Sequence, residues 1–154
     1  MIDWPILSIM LFVPLLGAGI ILLLRGPADI VARNIRATAL YATLFNLLLA
    51  IVLWAAFDPG QAGFQFVETV DAFGGLFQYK LGVDGISVLF VVLSAFLMPI
   101  CVLASWTSIQ HRVREYMVAF LVMETLMIGV FSALDLVLFY LFFEGSLIPM
   151  FLII

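Results

Sequence analysis

Five apolar segments, each about as long as a membrane-spanning helix, limit what this sequence can fold into. They cover residues 5–24, 38–57, 86–106, 117–134 and 136–154. A helix needs about 20 predominantly apolar residues to cross the hydrocarbon core of a bilayer. Only 10% of the residues are charged, against about 25% in a typical soluble domain. The segments therefore predict an all-α, polytopic transmembrane protein with five helices in this stretch.

The charged residues between the segments alternate in sign from loop to loop. Five of the six Lys and Arg residues fall in the first and third loops, at Arg25, Arg33, Arg36, Arg112 and Arg114. The second loop carries one basic residue, Lys80, and four acidic ones, Asp58, Glu68, Asp71 and Asp84. Basic loops favour the cytoplasmic side, or the matrix side in an organelle, so the pattern predicts an external N-terminus. No basic tract indicates a nucleic-acid partner.

The second loop is long for a connector. FQFVE and FQYKLGV have strand-like compositions, and the turn-prone DAFGG separates them. We therefore expect a short hairpin at the surface. The fourth and fifth segments are separated by little more than Asp135, which predicts an antiparallel helix pair.

Glu144 is the one acid in the apolar stretch FYLFFEGSLIPMFLII. It lies about 12 Å into the fifth helix, near the middle of a hydrocarbon core about 30 Å thick. An ionised carboxylate there must be paired, hydrated or protonated, and intramembrane acids usually mark ion or proton pathways. Glu124 lies at comparable depth in the fourth segment and is a second candidate for proton transfer. Two acids sharing such a region would disfavour each other's charged form.

The alternative for each acid is a protonated, hydrogen-bonded packing residue. Pro149 favours a functional Glu144, because it frees the carbonyl of Gly145, and water recruited there would hydrate the neighbouring acid. An ordinary proline kink is the alternative.

Two further prolines, Pro14 and Pro99, interrupt the first and third helices. Pro99 frees the carbonyl of Ala95, which we expect the hydroxyl of Ser94 to help satisfy.

The remaining polar residues favour structural roles. Asp84 precedes the third helix and suits an N-terminal cap, and Asp135 is expected to turn the chain and start the fifth helix. His111, the only histidine, lies in a charged loop and is expected to be solvated. The single Cys101 forms no internal disulfide or thiolate metal site and is expected in the core. The sequence contains no phosphate-binding loop, metal-spaced cluster or activated nucleophile, so no bond-making site is assigned.

Two motifs resemble a known family. YKLGVDGISVLF and DLVLFYLFFEGSLIPMFLII are similar to chain M of the proton-translocating NADH:quinone oxidoreductases, the bacterial form of respiratory complex I. The second motif is specific, whereas LGVDGIS is shared more widely among antiporter-like subunits. The resemblance covers essentially the whole chain. It implies that residues 1–154 are the N-terminal part of a single, longer antiporter-like membrane domain.

The resemblance implies a multi-pass subunit in a bacterial inner membrane, or an organellar inner membrane, that takes part in proton translocation coupled to quinone reduction. Glu144 falls in the family's E-x-x-x-x-P element, where the glutamate pairs with a lysine on a later helix. At the position of Glu124 a neutral polar residue is more usual, so the resemblance assigns that acid no role.

The resemblance also implies that NADH, FMN, iron–sulfur clusters and quinone are bound by other subunits, leaving this chain without redox chemistry of its own. Its partners would be other membrane subunits of complex I, including neighbouring antiporter-like chains, and the lipid bilayer. Two alternatives remain open. One is a subunit of a multi-subunit sodium/proton antiporter, and the other is a structural membrane module whose acids anchor neighbouring subunits.

Overall fold

The helices dominate a computed structural model that describes residues 4–154, except for the side chains of Ala72 and Phe73. Their bounds are α1 Ile6–Leu23, α2 Ala28–Ala56, α3 Ser87–Ser108, α4 Val113–Ser132 and α5 Leu136–Ile153. All five are long and apolar enough to span a membrane, which confirms the predicted fold class and helix number. The predicted external N-terminus, Met1, lies outside the described residues.

Helices α1 to α4 form the packed part of the bundle. Helix α1 packs against α2 and α4, helix α3 packs against the same two helices, and α2 also contacts α4. Helix α5 packs along α4 and touches the second strand of the hairpin. Only Leu138 and Pro149 of α5 are buried, although the helix is apolar around its whole circumference. An apolar helix with so little burial has most of its surface available to lipid or to other protein.

Helix α2 begins at Ala28, not at residue 38 as predicted. Its first turns contain enough polar residues to lower the hydropathy, but Val31, Ile35 and Ala39 recur every four residues and are buried. Arg33 and Arg36 therefore lie within α2 rather than in the first loop.

Helix α4 likewise begins at Val113 rather than at residue 117, so that Arg114 is helical. The other predicted boundaries agree with the structure to within two residues.

Two of the arginines hold helix ends together. Arg114 donates a hydrogen bond to the carbonyl of Leu24 over 2.6 Å, and Arg36 donates to the carbonyl of Ile109 over 2.9 Å. Leu24 and Ile109 directly follow α1 and α3. The guanidinium groups thus satisfy carbonyls at helix C-termini, where the helix dipole favours a positive charge. We call this end of the bundle the arginine end, and the opposite end the hairpin end.

The second loop forms the predicted hairpin. Strands β1 Gln65–Ala72 and β2 Phe77–Val83 pair antiparallel and are joined by the 3-10 turn Phe73–Gly75. A bulge between Gln65 and Glu68 shifts the register. The hairpin packs on the connection between α4 and α5, where the backbone N–H of Leu134 donates to the carbonyl of Lys80 over 2.8 Å.

Glu68 of the hairpin caps the N-terminus of α1. Its carboxylate accepts hydrogen bonds from the backbone N–H of Leu7 at 2.8 Å, from that of Ser8 at 3.1 Å, and from the Ser8 hydroxyl. The hydroxyl of Tyr79 lies 2.8 Å from the same Ser8 oxygen. Burial raises the pKa of Tyr79, its hydrogen bond to Ser8 lowers it, and the charge of Glu68 raises it. A carboxylate at this position satisfies free N–H groups at the positive end of the helix dipole.

Replacing Glu68 by Ala is expected to weaken the docking of the hairpin on α1 by about 1–3 kcal/mol, because two backbone donors lose a charged acceptor. Hydrogen exchange in the assembled membrane protein measures this change at the amides of Leu7 and Ser8. Glu68→Gln keeps an acceptor without the charge and should give an intermediate exchange rate. Thr69→Ala, at the exposed neighbouring position, is the control. If the amides of Leu7 and Ser8 exchanged at the same rate in the wild-type protein and in all three variants, the capping role of Glu68 would be contradicted.

Asp84 caps the start of α3, as predicted. One carboxylate oxygen accepts from the backbone N–H groups of Ile86 at 3.0 Å and Ser87 at 2.7 Å, and the Ser87 hydroxyl accepts from the Asp84 N–H at 2.8 Å. Hydrogen bonds from the backbone and then the side chain of Ser87 lower the pKa of Asp84 below its ordinary 3.8. The ionised cap therefore stabilises the fold fully at pH values above the ordinary pKa of 3.8. This stabilisation is lost as the pH falls through the lower pKa of the folded state.

Asp135 is the residue from which α5 starts, also as predicted. Its side chain makes no hydrogen bond to the helix. Instead, its carboxylate accepts from the backbone N–H of Gln78 in β2 over 3.2 Å. Asp135 thus starts the helix by its backbone conformation and attaches the hairpin by its side chain.

Candidate functional site

A layer of buried polar side chains crosses the middle of the bundle. We call it the central polar layer, and it consists of Thr43, Asn46, Glu124 and Thr125. Along both α2 and α4 it separates two apolar clusters. The cluster toward the hairpin end includes Leu49 and Ile128, and the cluster toward the arginine end includes Ala39 and Leu121. The polar layer is therefore enclosed by apolar packing above and below.

Glu124 and Asn46 form the contact at the centre of this layer. The side-chain amide of Asn46 donates to Glu124 Oε1 over 3.0 Å, and both residues are 0% exposed. The other oxygen of each side chain, Glu124 Oε2 and Asn46 Oδ1, is buried and makes no hydrogen bond within the described residues. One hydrogen bond thus joins α2 to α4, and two acceptors beside it remain unsatisfied.

The two threonines use their hydroxyl groups on backbone carbonyls. Thr125 donates to the carbonyl of Leu11 in α1 over 2.8 Å, and Thr43 donates to carbonyls within its own helix. Pro14 and Pro99 are buried at the same level, between the two apolar clusters. The expectation for Ser94 is wrong, because its hydroxyl donates to the carbonyl of Phe90 rather than to that of Ala95. A serine in a helix reaches back four residues to its own turn more readily than to the next residue.

Glu144 has quite different surroundings. It lies on the exposed surface of α5, and it makes no hydrogen bond or ion pair with residues 4–154. It follows the first residue of α5, Leu136, by about 12 Å along the helix axis. Gly145 beside it faces Leu126 of α4, and Pro149 is one of the few buried residues of α5. The helix break predicted at Gly145 and Pro149 therefore lies where α5 contacts α4.

Glu124 and Glu144 have similar depths but lie on opposite sides of α4. Each is about 12 Å from the end of its helix at the α4–α5 connection. Among the α4 residues that contact α5 are Leu126, which faces Gly145, and Gly129, which faces Phe142. At about 100° per residue they lie about 200° and 140° around α4 from Glu124. The structure thus places the two acids on opposite sides of α4 and does not bring them into contact.

The sequence interpretation missed Asn46 as the partner of Glu124. A single asparagine within the apolar run LFNLLLA was the available signal, since an amide in such a run needs a hydrogen-bond partner. From the sequence, Glu68 is only one of the acidic residues of the second loop. Its capping contact with α1 joins residues 60 and 61 positions apart, which no local pattern indicates.

Comparison with known proteins identifies the family. The sequence model described as NADH-ubiquinone oxidoreductase chain 4, amino terminus, matches residues 37–134. The chain is 55% identical over 150 residues to NADH-quinone oxidoreductase subunit M of Rhodobacter capsulatus, covering 97% of this chain and 29% of that protein. It is 46% identical over 150 residues to NADH-ubiquinone oxidoreductase chain 4 of Arabidopsis thaliana, covering 96% of this chain and 30% of that protein.

The chain thus spans less than a third of the length of these relatives. The family match covers α2 from residue 37 onward, the hairpin, α3 and α4, and it ends at the α4–α5 connection. Together with near-complete coverage of this chain by relatives of high identity, this match shows that the chain belongs to the NADH-ubiquinone oxidoreductase chain 4 family.

Proposed function

We propose that this chain is the N-terminal part of a membrane subunit of an NADH:quinone oxidoreductase that takes part in proton translocation coupled to quinone reduction. The names of its relatives support membership of such an enzyme. Five helices able to span a membrane support a multi-pass subunit. The predicted location is a bacterial inner membrane or an organellar inner membrane, with the arginine end on the cytoplasmic or matrix side and the N-terminus outside.

The observation that carries this proposal is the position of Glu144. Its carboxyl group lies at mid-membrane depth on a helix with exposed apolar neighbours, including Phe143 and Leu147, and without a partner in the described residues. A charge facing hydrocarbon is costly, so such an acid needs a polar partner from protein that lies against this face of α5. The family resemblance supplies that partner as a lysine on a later helix, since Lys80, the one lysine here, lies in the hairpin.

This arrangement gives Glu144 two states. A nearby ammonium group favours the carboxylate, and withdrawal of that cation favours uptake of a proton. Quinone reduction elsewhere in the enzyme would drive the movement of the cation. The carbonyl freed by Pro149 at Gly145 would recruit water for the transfer. In this scheme Glu144 holds and releases the proton, while the water bound at the Gly145 carbonyl, which Pro149 leaves free, hydrates the Glu144 carboxyl group.

The proposal places NADH, FMN, iron–sulfur clusters and quinone in other subunits of the enzyme. An iron–sulfur cluster requires several thiolate ligands, and this sequence contains only Cys101. Other membrane subunits of complex I, among them antiporter-like chains, are the proposed partners. The names of the relatives favour this reading over a sodium/proton antiporter.

Co-purification tests the proposed function. The native full-length protein is extracted gently from its membrane, and inhibitor-sensitive NADH:quinone reductase activity is followed through the purification. We expect this activity, with flavin and iron–sulfur signals, to travel with the protein, because a complex I subunit stays with its redox partners. Isolation with other hydrophobic subunits and sodium-dependent proton exchange, without reductase activity, would overturn the proposal in favour of the antiporter alternative.

A further inference from the structure

The two unsatisfied oxygens beside the Glu124–Asn46 hydrogen bond determine how many protons the pair must hold. An ionised carboxylate has acceptors only, and the amide oxygen of Asn46 is also an acceptor. A charged Glu124 therefore leaves both Glu124 Oε2 and Asn46 Oδ1 without a donor in a site that is 0% exposed. One proton on Oε2 turns that oxygen into a donor. The protonated Oε2 can then donate a hydrogen bond to Asn46 Oδ1, directly or through one buried water. This hydrogen bond removes the free-energy cost of the unsatisfied acceptors.

Among residues 4–154, no positive charge lies near Glu124 to favour its ionised form. Helices α1 and α3 contain no charged residue, and the charged residues of α2 all lie in its first turns at the arginine end, at Asp29, Arg33 and Arg36. On α4 the charges are Arg114 and Glu115, at least about 13 Å along the axis from Glu124.

The other titratable groups on these helices do not contact Glu124. Tyr116 of α4 is hydrogen-bonded to Ser105, Tyr41 of α2 is 71% exposed, and Cys101 lies on α3 toward the arginine end. Helix α5 contributes Tyr140 and Glu144, both exposed and both across α4 from Glu124. A single buried carboxylate without a cation is far less stable than the neutral acid.

We propose that Glu124 and Asn46 form a proton-binding site that remains occupied throughout turnover and clamps α2 to α4 as a neutral pair. The bound ligand is one proton, held on Glu124 Oε2 and shared with Asn46 Oδ1. The apolar clusters on both sides close the site to bulk water, and α4 separates it from Glu144. Glu124 therefore does not exchange protons with Glu144, and its role is to hold α2 against α4, the helix on which α5 and its transfer site pack.

The substitution Glu124→Gln tests this site in the full-length chain within its assembled complex. The glutamine amide supplies the donor that the proposal assigns to the proton, so both interhelical hydrogen bonds are retained. We expect the amount of assembled complex and the rate of NADH-driven proton translocation to stay within about twofold of wild type. Infrared difference spectra of wild type against this variant should show one protonated carboxylic acid band, unchanged between about pH 5 and pH 7.

Glu115→Gln is the matched control, because it removes an exposed acid from the same helix and should leave that band in place. Asn46→Leu removes the amide partner and should shift the band. Three results would overturn the proposal: a band that titrates or is absent, loss of assembly in Glu124→Gln, or an assembled Glu124→Gln complex whose proton translocation falls about tenfold or more. The last result would make Glu124 a proton carrier.

The translocation readout depends on the proposed function, whereas the infrared band and the assembly readout do not. A complex without NADH-driven translocation would refute the proposed function and still allow the proton-binding site to be judged.

Discussion

Replacing Glu144 by Gln in the full-length chain is expected to reduce NADH-driven proton translocation at least about tenfold, because an amide cannot hold and release a proton. The exposed position of Glu144 on α5 means that the substitution disturbs little of the packing described above. We therefore expect near-normal amounts of assembled complex. Proton uptake into membrane vesicles, together with NADH:quinone reductase activity, measures the effect.

Glu115→Gln is again a suitable control, since it removes an exposed carboxylate in the first turn of α4. Unaffected proton translocation by an intact complex carrying Glu144→Gln would refute the transfer role. Loss of assembly with normal activity in the remaining complex would support the structural alternative, in which Glu144 anchors a neighbouring subunit.

Replacing Gly129 by Leu is expected to separate α5 from α4. A Cβ atom at Gly129 would lie 2.7 Å from three ring carbons of Phe142, closer than such atoms approach in proteins. Overpacking typically costs about 1–3 kcal/mol, and a leucine adds more atoms beyond a Cβ that already collides. We expect a marked loss of assembled complex and, in the fraction that assembles, slower proton translocation because Glu144 is displaced with α5.

The double variant Gly129→Leu with Phe142→Ala should recover much of the assembly, because it removes the ring that the leucine meets. Gly19→Ala is the control, since a Cβ at Gly19 has no neighbour within 4 Å. Assembly and thermal stability of the complex measure both effects. If the Gly129→Leu complex assembled as well as the Gly19→Ala complex, the close packing of α4 against α5 at Gly129 would be refuted.

The features that could be predicted from sequence are those that depend on position along the chain. Hydropathy located the five spans because a bilayer requires a fixed length of apolar helix. The cap by Asp84 and the hairpin also rest on residues close in sequence, and both are confirmed. The start of α2 was predicted wrongly, because hydropathy detects the part of a helix suited to lipid and not a helix that continues beyond it.

Composition and spacing along the chain are enough to predict that it crosses a membrane several times and that two acids lie at mid-membrane depth. The direction in which each acid faces depends instead on how the helices pack. Rotation about a helix axis is fixed by packing against neighbouring helices, and that packing directs Glu124 toward Asn46 inside the bundle. It leaves Glu144 on the outer face of α5, so two carboxyl groups at similar depth have different surroundings and different proposed roles.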